Sequence, residues 1–237
     1  MRVFSPEARS VSLLVGGERT SMVRDGDHWV GDVSLGDEYG IVVDGNALGI
    51  SPNRLLLDPS ATRVRFPSDH DRDRARPGPA SNHDVAPRAV AADWPSPRPQ
   101  RWTTRPLVIH ETHVRGETMR RDRPDAGTFA ALIDELDRLA ELGVSVIELL
   151  PVHQFDPAEG SYWGYMPLLF GAVHDGYAHG PDPAAELADF VEAAHRHDIE
   201  VWLDVVFNHT TEEDAHGPTM TLRGLAAERF YVVRSDG

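Results

Sequence analysis

The run Asp204-Val205-Val206-Phe207-Asn208-His209 places a carboxylate, a carboxamide and an imidazole at the end of an apolar segment. If residues 200–207 (EVWLDVVF) form a strand, side chains alternate and Asp204, Val206 and Asn208 share a face. An acid within an apolar strand costs several kcal/mol unless it is paired, so Asp204 needs a partner. It is either a buried structural carboxylate or a site residue at the strand's rim. Upstream, Tyr162-Trp163-Gly164-Tyr165-Met166-Pro167 clusters three aromatics around a glycine. Such rings offer flat apolar faces with polar edges, which suits stacking on a sugar, and they serve equally to pin a loop to the body of the fold.

Twelve histidines invite a metal reading, but their spacing gives it little support. His110 and His113 lie an odd number apart on an expected strand and face opposite ways, while His195 and His197 diverge on an expected helix. His153, His174 and His179 fall in expected loops without an HExxH pattern. No metal site is expected. The sequence has no cysteine, which excludes disulfides, zinc thiolates and thiol nucleophiles. GxSxG, P-loop and GxGxxG patterns do not occur either.

Residues 1–66 read as short strands of a small β-sandwich. VSLLV at 11–15 precedes Gly16-Gly17, and Asp-Gly pairs at 25–26 and 44–45 punctuate further alternating stretches. Residues 67–105, rich in Pro, Arg, Asp and Ala, have too little apolar surface to fold alone. They read as a linker lying over its neighbours, with Trp94 and Trp102 as anchors. Residues 106–237 alternate strand and helix. Leu107-Val108-Ile109 opens a strand, Phe129 to Leu139 falls at helical spacing until Gly143, and VSVIELL at 144–150 is a buried strand. Asp182-Pro183 caps a helix with an apolar stripe at Leu187, Phe190, Val191 and Ala194. Residues 200–207 make a third strand, and a further strand is conceivable only at RFYVV (229–233).

Parallel β/α units of this kind build barrels or doubly wound sheets. About three of eight strands cannot close a (β/α)8 TIM barrel, so the expected fold is a β-sandwich followed by an incomplete barrel that stops in mid-domain at Gly237. The stretch VFSPEARSV also reads as the inside of a first strand, which leaves the true start open. The long connection 151–181 lies where a barrel's C-terminal loops form an active site. With 23 basic and 38 acidic residues the formal charge is −15, and every basic residue is arginine. The absence of lysine reads as codon bias. That balance argues against nucleic acid. No run approaches the length of a membrane span, and the start lacks an apolar leader, so a soluble cytoplasmic protein is expected.

The residues resemble the α-amylase superfamily of glycoside hydrolases. Asp204 to His209 is similar to its DVVxNH region at the end of barrel strand three. IHETHVRG (109–116), ELLPVHQF (148–155), YWGYMP (162–167) and GPTMTLRGL (217–225) are similar, in order and spacing, to the isoamylase and glycogen-operon debranching branch. The N-terminal strands, with Leu55-Leu56-Leu57-Asp58-Pro59, resemble the carbohydrate-binding module placed before that barrel. The resemblance implies that His209 hydrogen-bonds the sugar before the scissile bond and that Tyr165 stacks under it, with Trp163 as a further substrate-binding residue. It implies that Asp204 holds a strand-four arginine and that Asn208 supports the loop or, in some relatives, a calcium ion. No other cofactor is implied.

Retaining glycosidases need two carboxyl groups about 5–5.5 Å apart, and the family takes them from strands four and five, with a further aspartate from strand seven. No catalytic residue is therefore expected in this chain. It reads as the N-terminal portion of an enzyme cutting α-1,6 branches of glycogen or a related α-glucan. Glycogen branching enzyme and maltooligosyl-trehalose hydrolase fragments are alternatives, as is a non-catalytic α-glucan-binding protein. The last would expose unpaired strand edges, so a truncated gene model or contig end is the simpler expectation.

Overall fold

The computed structural model describes residues 1–95, 106–160 and 162–234. Nine strands fill the N-terminal part: β1 (Arg2–Phe4), β2 (Ala8–Val15), β3 (Glu18–Ser21), β4 (Val23–Asp25), β5 (His28–Val30), β6 (Glu38–Gly45), β7 (Leu55–Leu56), β8 (Val64–Arg65) and β9 (Arg88–Val90). They form two antiparallel sheets, one ordered β1-β5-β4 and the other β3-β2-β6-β9-β8 with β7 also on β6. Gly16 and Gly17, at φ 56° and 87°, form the two-residue turn between Val15 and Glu18, which are paired. Asp44-Gly45, expected as a turn, instead ends β6.

The sheet does not stop at residue 66. Strand β9 lies inside the expected linker and pairs with both β6 and β8. Its segment was unreadable as structure because polar groups hold it. The buried Arg54 donates to the carbonyls of Arg76, Gly78 and Ala80, and Asn82 Oδ1 accepts from Leu55 N at 2.8 Å. A short 3-10 helix, Arg72–Ala75, carries the buried Arg72. Trp94 is half exposed and is no core anchor, and Trp102 lies outside the described residues.

The remaining elements are β10 (Ile109–Thr112), α1 (Val114–Thr118), α2 (Phe129–Ile133), α3 (Leu136–Glu141), β11 (Val146–Leu149), β12 (His153–Phe155), β13 (Pro167–Val173), α4 (Pro183–Arg196), β14 (Glu200–Leu203) and α5 (Leu222–Phe230). Strands β10, β11 and β14 pair in parallel in that order, as the alternating pattern requires. Thr128 and Asp182 cap α2 and α4 by accepting from Ala131 N and Ala185 N. Ile147, Leu149 and the half-buried Val201 pack against Phe129, Leu132, Leu136 and Phe190 on the helical side. The opposite face carries Glu148 and Trp202, and Glu111 shares their register row.

Three expectations change. The helix over 129–139 is two short helices, broken at Asp134 and Glu135. The third strand ends at Leu203, four residues before Phe207. Arg229 and Phe230 belong to α5 and form no strand. The parallel strands keep a core of their own, but the core of the N-terminal sheets is completed from the C-terminal half of the chain. Leu168, Leu169 and Ala172 of β13, with Met220 and Leu225, belong to the same buried cluster as Val3, Trp29 and Ile41.

Candidate functional site

The rim beyond β11 and β14 gathers the residues singled out in the sequence. Because β14 ends at Leu203, Asp204 stands at the strand's exit, where its N–H still reaches Leu149 O at 2.9 Å. It is half-buried rather than buried. Its partner is Tyr165, whose hydroxyl donates to Asp204 Oδ2 at 2.6 Å. The hydrogen bond to Asp204 comes first among the causes that push the phenol pKa up to about 12. Desolvation follows, then the charges of Asp204, Glu111 and Glu148. Among the described residues no arginine takes the role expected of Asp204's partner.

His209 closes the other side. Its Nε2 lies 2.8 Å from the Tyr165 carbonyl, which can only accept, so Nε2 carries the proton. Nδ1 then accepts from Asn208 Nδ2 at 2.9 Å. Loop 162–165 is thus bound to the strand-three rim by two hydrogen bonds, one through the Tyr165 side chain and one through its backbone. His209 does not present a free N–H here, and donation to a sugar requires its bond to Tyr165 to be exchanged. Trp163, Tyr162 and Tyr165 are all substantially exposed, and the Tyr162 and Trp163 rings lie 5.0 Å apart. Gly164 makes the turn possible: at φ +80° a Cβ would sit 2.6 Å from the Pro151 carbonyl oxygen.

Asn208 is exposed and engaged with His209. Among the described residues no group of three or more His, Asp or Glu side chains is arranged to hold a metal. A cleft of about 770 Å³ opens beside the rim, with Phe207, Asn208 and His209 on one wall and residues 48–51 and α5 on others.

Beneath the rim, Glu212 holds the start of α5. Its two oxygens accept from the N–H groups of Met220, Thr221 and Arg223 and from the Tyr231 hydroxyl, at 2.7–2.9 Å. Arg72 binds Asp156, Thr211 and Glu213 together, so the strand-three rim is tied to the 67–90 segment.

An alpha amylase catalytic-domain profile matches residues 87–230. The chain belongs to the alpha-amylase family. Within that family it is 39% identical to a glycogen debranching enzyme of Dickeya chrysanthemi over 90% of this chain and 37% of that protein. It is 36% identical to one of Klebsiella pneumoniae over 99% of this chain and 41% of that protein. The chain thus spans about two fifths of the length of these curated relatives. Among solved structures, the catalytic module of the glycogen-degrading pneumococcal virulence factor SpuA matches with a TM-score of 0.76. The match is 23% identical and covers 100% of this chain and 38% of that one. A Group B Streptococcus pullulanase, SAP, solved with maltotetraose, matches with a TM-score of 0.67 at 25% identity over 88% of this chain and 32% of that one.

Sequence reasoning brought Tyr165, Trp163, Asp204, Asn208 and His209 to one alpha-amylase-family rim, and the structure joins four of them directly or in sequence contact. It missed His113, Tyr177, Glu111 and Glu148. His113 was weighed only as a metal ligand on a strand, whereas it caps α1. The signal available was a His directly before a Val-Arg-Gly-Glu stretch with helical character.

Proposed function

We propose that this chain is the N-terminal portion of a debranching glycoside hydrolase of isoamylase type, acting on α-1,6 branches of glycogen or a related α-glucan by a retaining mechanism. The observation that carries this reading is the coupled rim: an exposed aromatic loop and the Asp204–His209 run linked through Tyr165. Aromatic faces beside carboxylate and amide groups suit a flat, hydroxyl-rich sugar. The N-terminal sheets are proposed as a carbohydrate-binding-module-like unit, and a cytoplasmic setting belongs to the same proposal.

The chain's own residues are read as binding and orienting groups. Tyr165 and Trp163 offer ring faces, and His209 offers its Nε2–H once the bond to the Tyr165 carbonyl is exchanged. Cleavage would require a carboxyl pair about 5–5.5 Å apart at the bond, and this proposal takes that pair from sequence beyond residue 237. The test is a titration of the 237-residue protein with a linear maltooligosaccharide, followed by tyrosine and tryptophan resonances. Saturable shifts at Tyr165 and Trp163, abolished by Tyr165→Ala, support the reading. Absence of shifts at millimolar sugar would sink it. The isolated chain is expected to release no reducing ends from glycogen, and release above a control free of host amylase contradicts that.

A further inference from the structure

His113 sits between β10 and α1, with its side chain buried and both ring nitrogens engaged on opposite sides. Nδ1 accepts from the N–H groups of Arg115 and Gly116 at 3.0 and 3.1 Å, satisfying two of the free donors at the start of α1. An atom facing two N–H groups carries no proton. The neutral ring therefore bears its proton on Nε2, which lies 2.8 Å from the Tyr162 carbonyl. The Tyr177 hydroxyl lies 3.1 Å from that nitrogen and 3.2 Å from the same carbonyl. With the imidazole proton already on Tyr162 O, the phenol donates there too.

One carbonyl, immediately before Trp163, thus collects two buried donors. Around them the imidazole meets the Tyr162, Trp163 and Tyr177 rings edge-on, at 4.7, 5.8 and 5.4 Å between centroids. Burial leads the causes that hold the imidazole pKa below its ordinary value, and the charge of Arg115 adds to it against the opposing bond to Tyr162. A second proton would have to sit on Nδ1 and point at the two capping N–H groups. Neutrality and tautomer are therefore fixed by the same contacts.

We propose that His113 is a positioning residue for the aromatic loop: one face fixes the barrel's first helix, and the other fixes the Tyr162 carbonyl and so sets where the Trp163 and Tyr165 rings point. This rests on the proposed reading that the loop meets an α-glucan. Further along the loop, Tyr165 is held through Asp204 and His209. The buried His113–Tyr177 pair grips its start, at the Tyr162 carbonyl.

The two faces can be separated by substitution. Asn is a good helix N-cap but is too short to reach Tyr162, so His113→Asn keeps the α1 bonds and drops the loop tether, while His113→Ala drops both. Tyr177→Phe removes the second donor alone. Ring-nitrogen NMR of the 237-residue protein is expected to show His113 bare at Nδ1 and protonated at Nε2 at pH values below the ordinary histidine value of about 6.5. An Nδ1–H tautomer, or uptake of a second proton at the ordinary value of about 6.5, overturns the assignment. Hydrogen exchange of the peptide spanning 160–166 is expected to quicken about tenfold in His113→Asn, with residues 114–118 unchanged, and in both segments in His113→Ala. Wild-type exchange of the loop in His113→Asn overturns the positioning role.

Maltohexaose affinity is read on the same proteins, and about a tenfold weakening in His113→Asn is expected. A loosened loop with undiminished sugar affinity also overturns the positioning role. If the wild-type protein binds no maltohexaose, the α-glucan reading of the loop fails, and the exchange data still decide whether His113 holds it.

Discussion

Tyr165 links the two halves of the rim, and its hydroxyl reports on that link. The phenol pKa is pushed up to about 12 first by the hydrogen bond that Asp204 accepts, then by desolvation and by the repulsion of three carboxylates for a phenolate. Asp204→Asn is expected to bring it back toward the usual value of about 10, as a tyrosinate absorbance step that Tyr165→Phe removes. An unshifted step would mean that the bond at 2.6 Å is not formed in solution. In a longer protein carrying the complete barrel, His209→Ala should lower kcat and kcat/KM together by about 2–4 kcal/mol, whereas His195→Ala, on the far helix α4, should not. Near-normal kinetics for His209→Ala would place the substrate elsewhere. These residue types and their neighbourhood were legible in the sequence because motif and strand end coincide. The partner of Asp204 was not, since Tyr165 lies 39 positions away and nothing local announces the pairing.

Among the elements, the 67–90 segment departs furthest from its sequence character. Low apolar content suggested a linker, yet β9 closes a sheet and Arg72 reaches across to Asp156, whose side chain is fully buried. Removing one member of a buried, hydrogen-bonded ion pair costs about 3–5 kcal/mol, so Arg72→Met should lower the urea midpoint markedly. A loss under about 1 kcal/mol would contradict the burial seen here. His70 joins the same carboxylate through Nε2 at 3.0 Å, while its Nδ1 faces the Val85 carbonyl at 3.1 Å. Both partners only accept, so the ring carries both protons. Burial opposes that charge, but the bonds and charge of Asp156 outweigh it and raise the pKa. A raised histidine pKa stabilises the fold fully below its unfolded value of about 6.5, and that contribution fades as pH rises through the folded value. His70→Gln should therefore flatten the decline in stability as pH rises above about 6.5. Periodicity and capping made α4 and the parallel strands legible, but a segment held by guanidinium–carbonyl bonds leaves no apolar pattern to read.

At the scale of the molecule, acid acts in the opposite direction. His83, His113, His153 and His174 all have lowered pKa values, with burial the leading cause in each and His174 down to about 3. Unfolded histidines take up protons near 6.5, so these four favour unfolding progressively as pH falls from there toward 3. Urea midpoints should drop across that window, and a flat profile would refute the buried neutral rings. Among the described residues, strands β10 and β14 each pair on one side only, and Ile109, Leu203, Val205 and Phe207 are exposed. Self-association of the 237-residue protein is expected, and a single monomer peak in size-exclusion chromatography with a cooperative melt argues against it. Strand order and the α/β alternation were legible because they follow local periodicity. The shared core was not, because Ser5 Oγ meets the Leu225 carbonyl across 220 positions and Leu57 N meets Met220 O. That joining bears on how the protein is made. A ribosome adding roughly 5–20 residues per second delivers Val3 and Ile41 long before Met220 and Leu225, the residues that complete their cluster. Until α5 emerges the nascent chain therefore carries two sheets with an open apolar seam, a surface for a chaperone to shield.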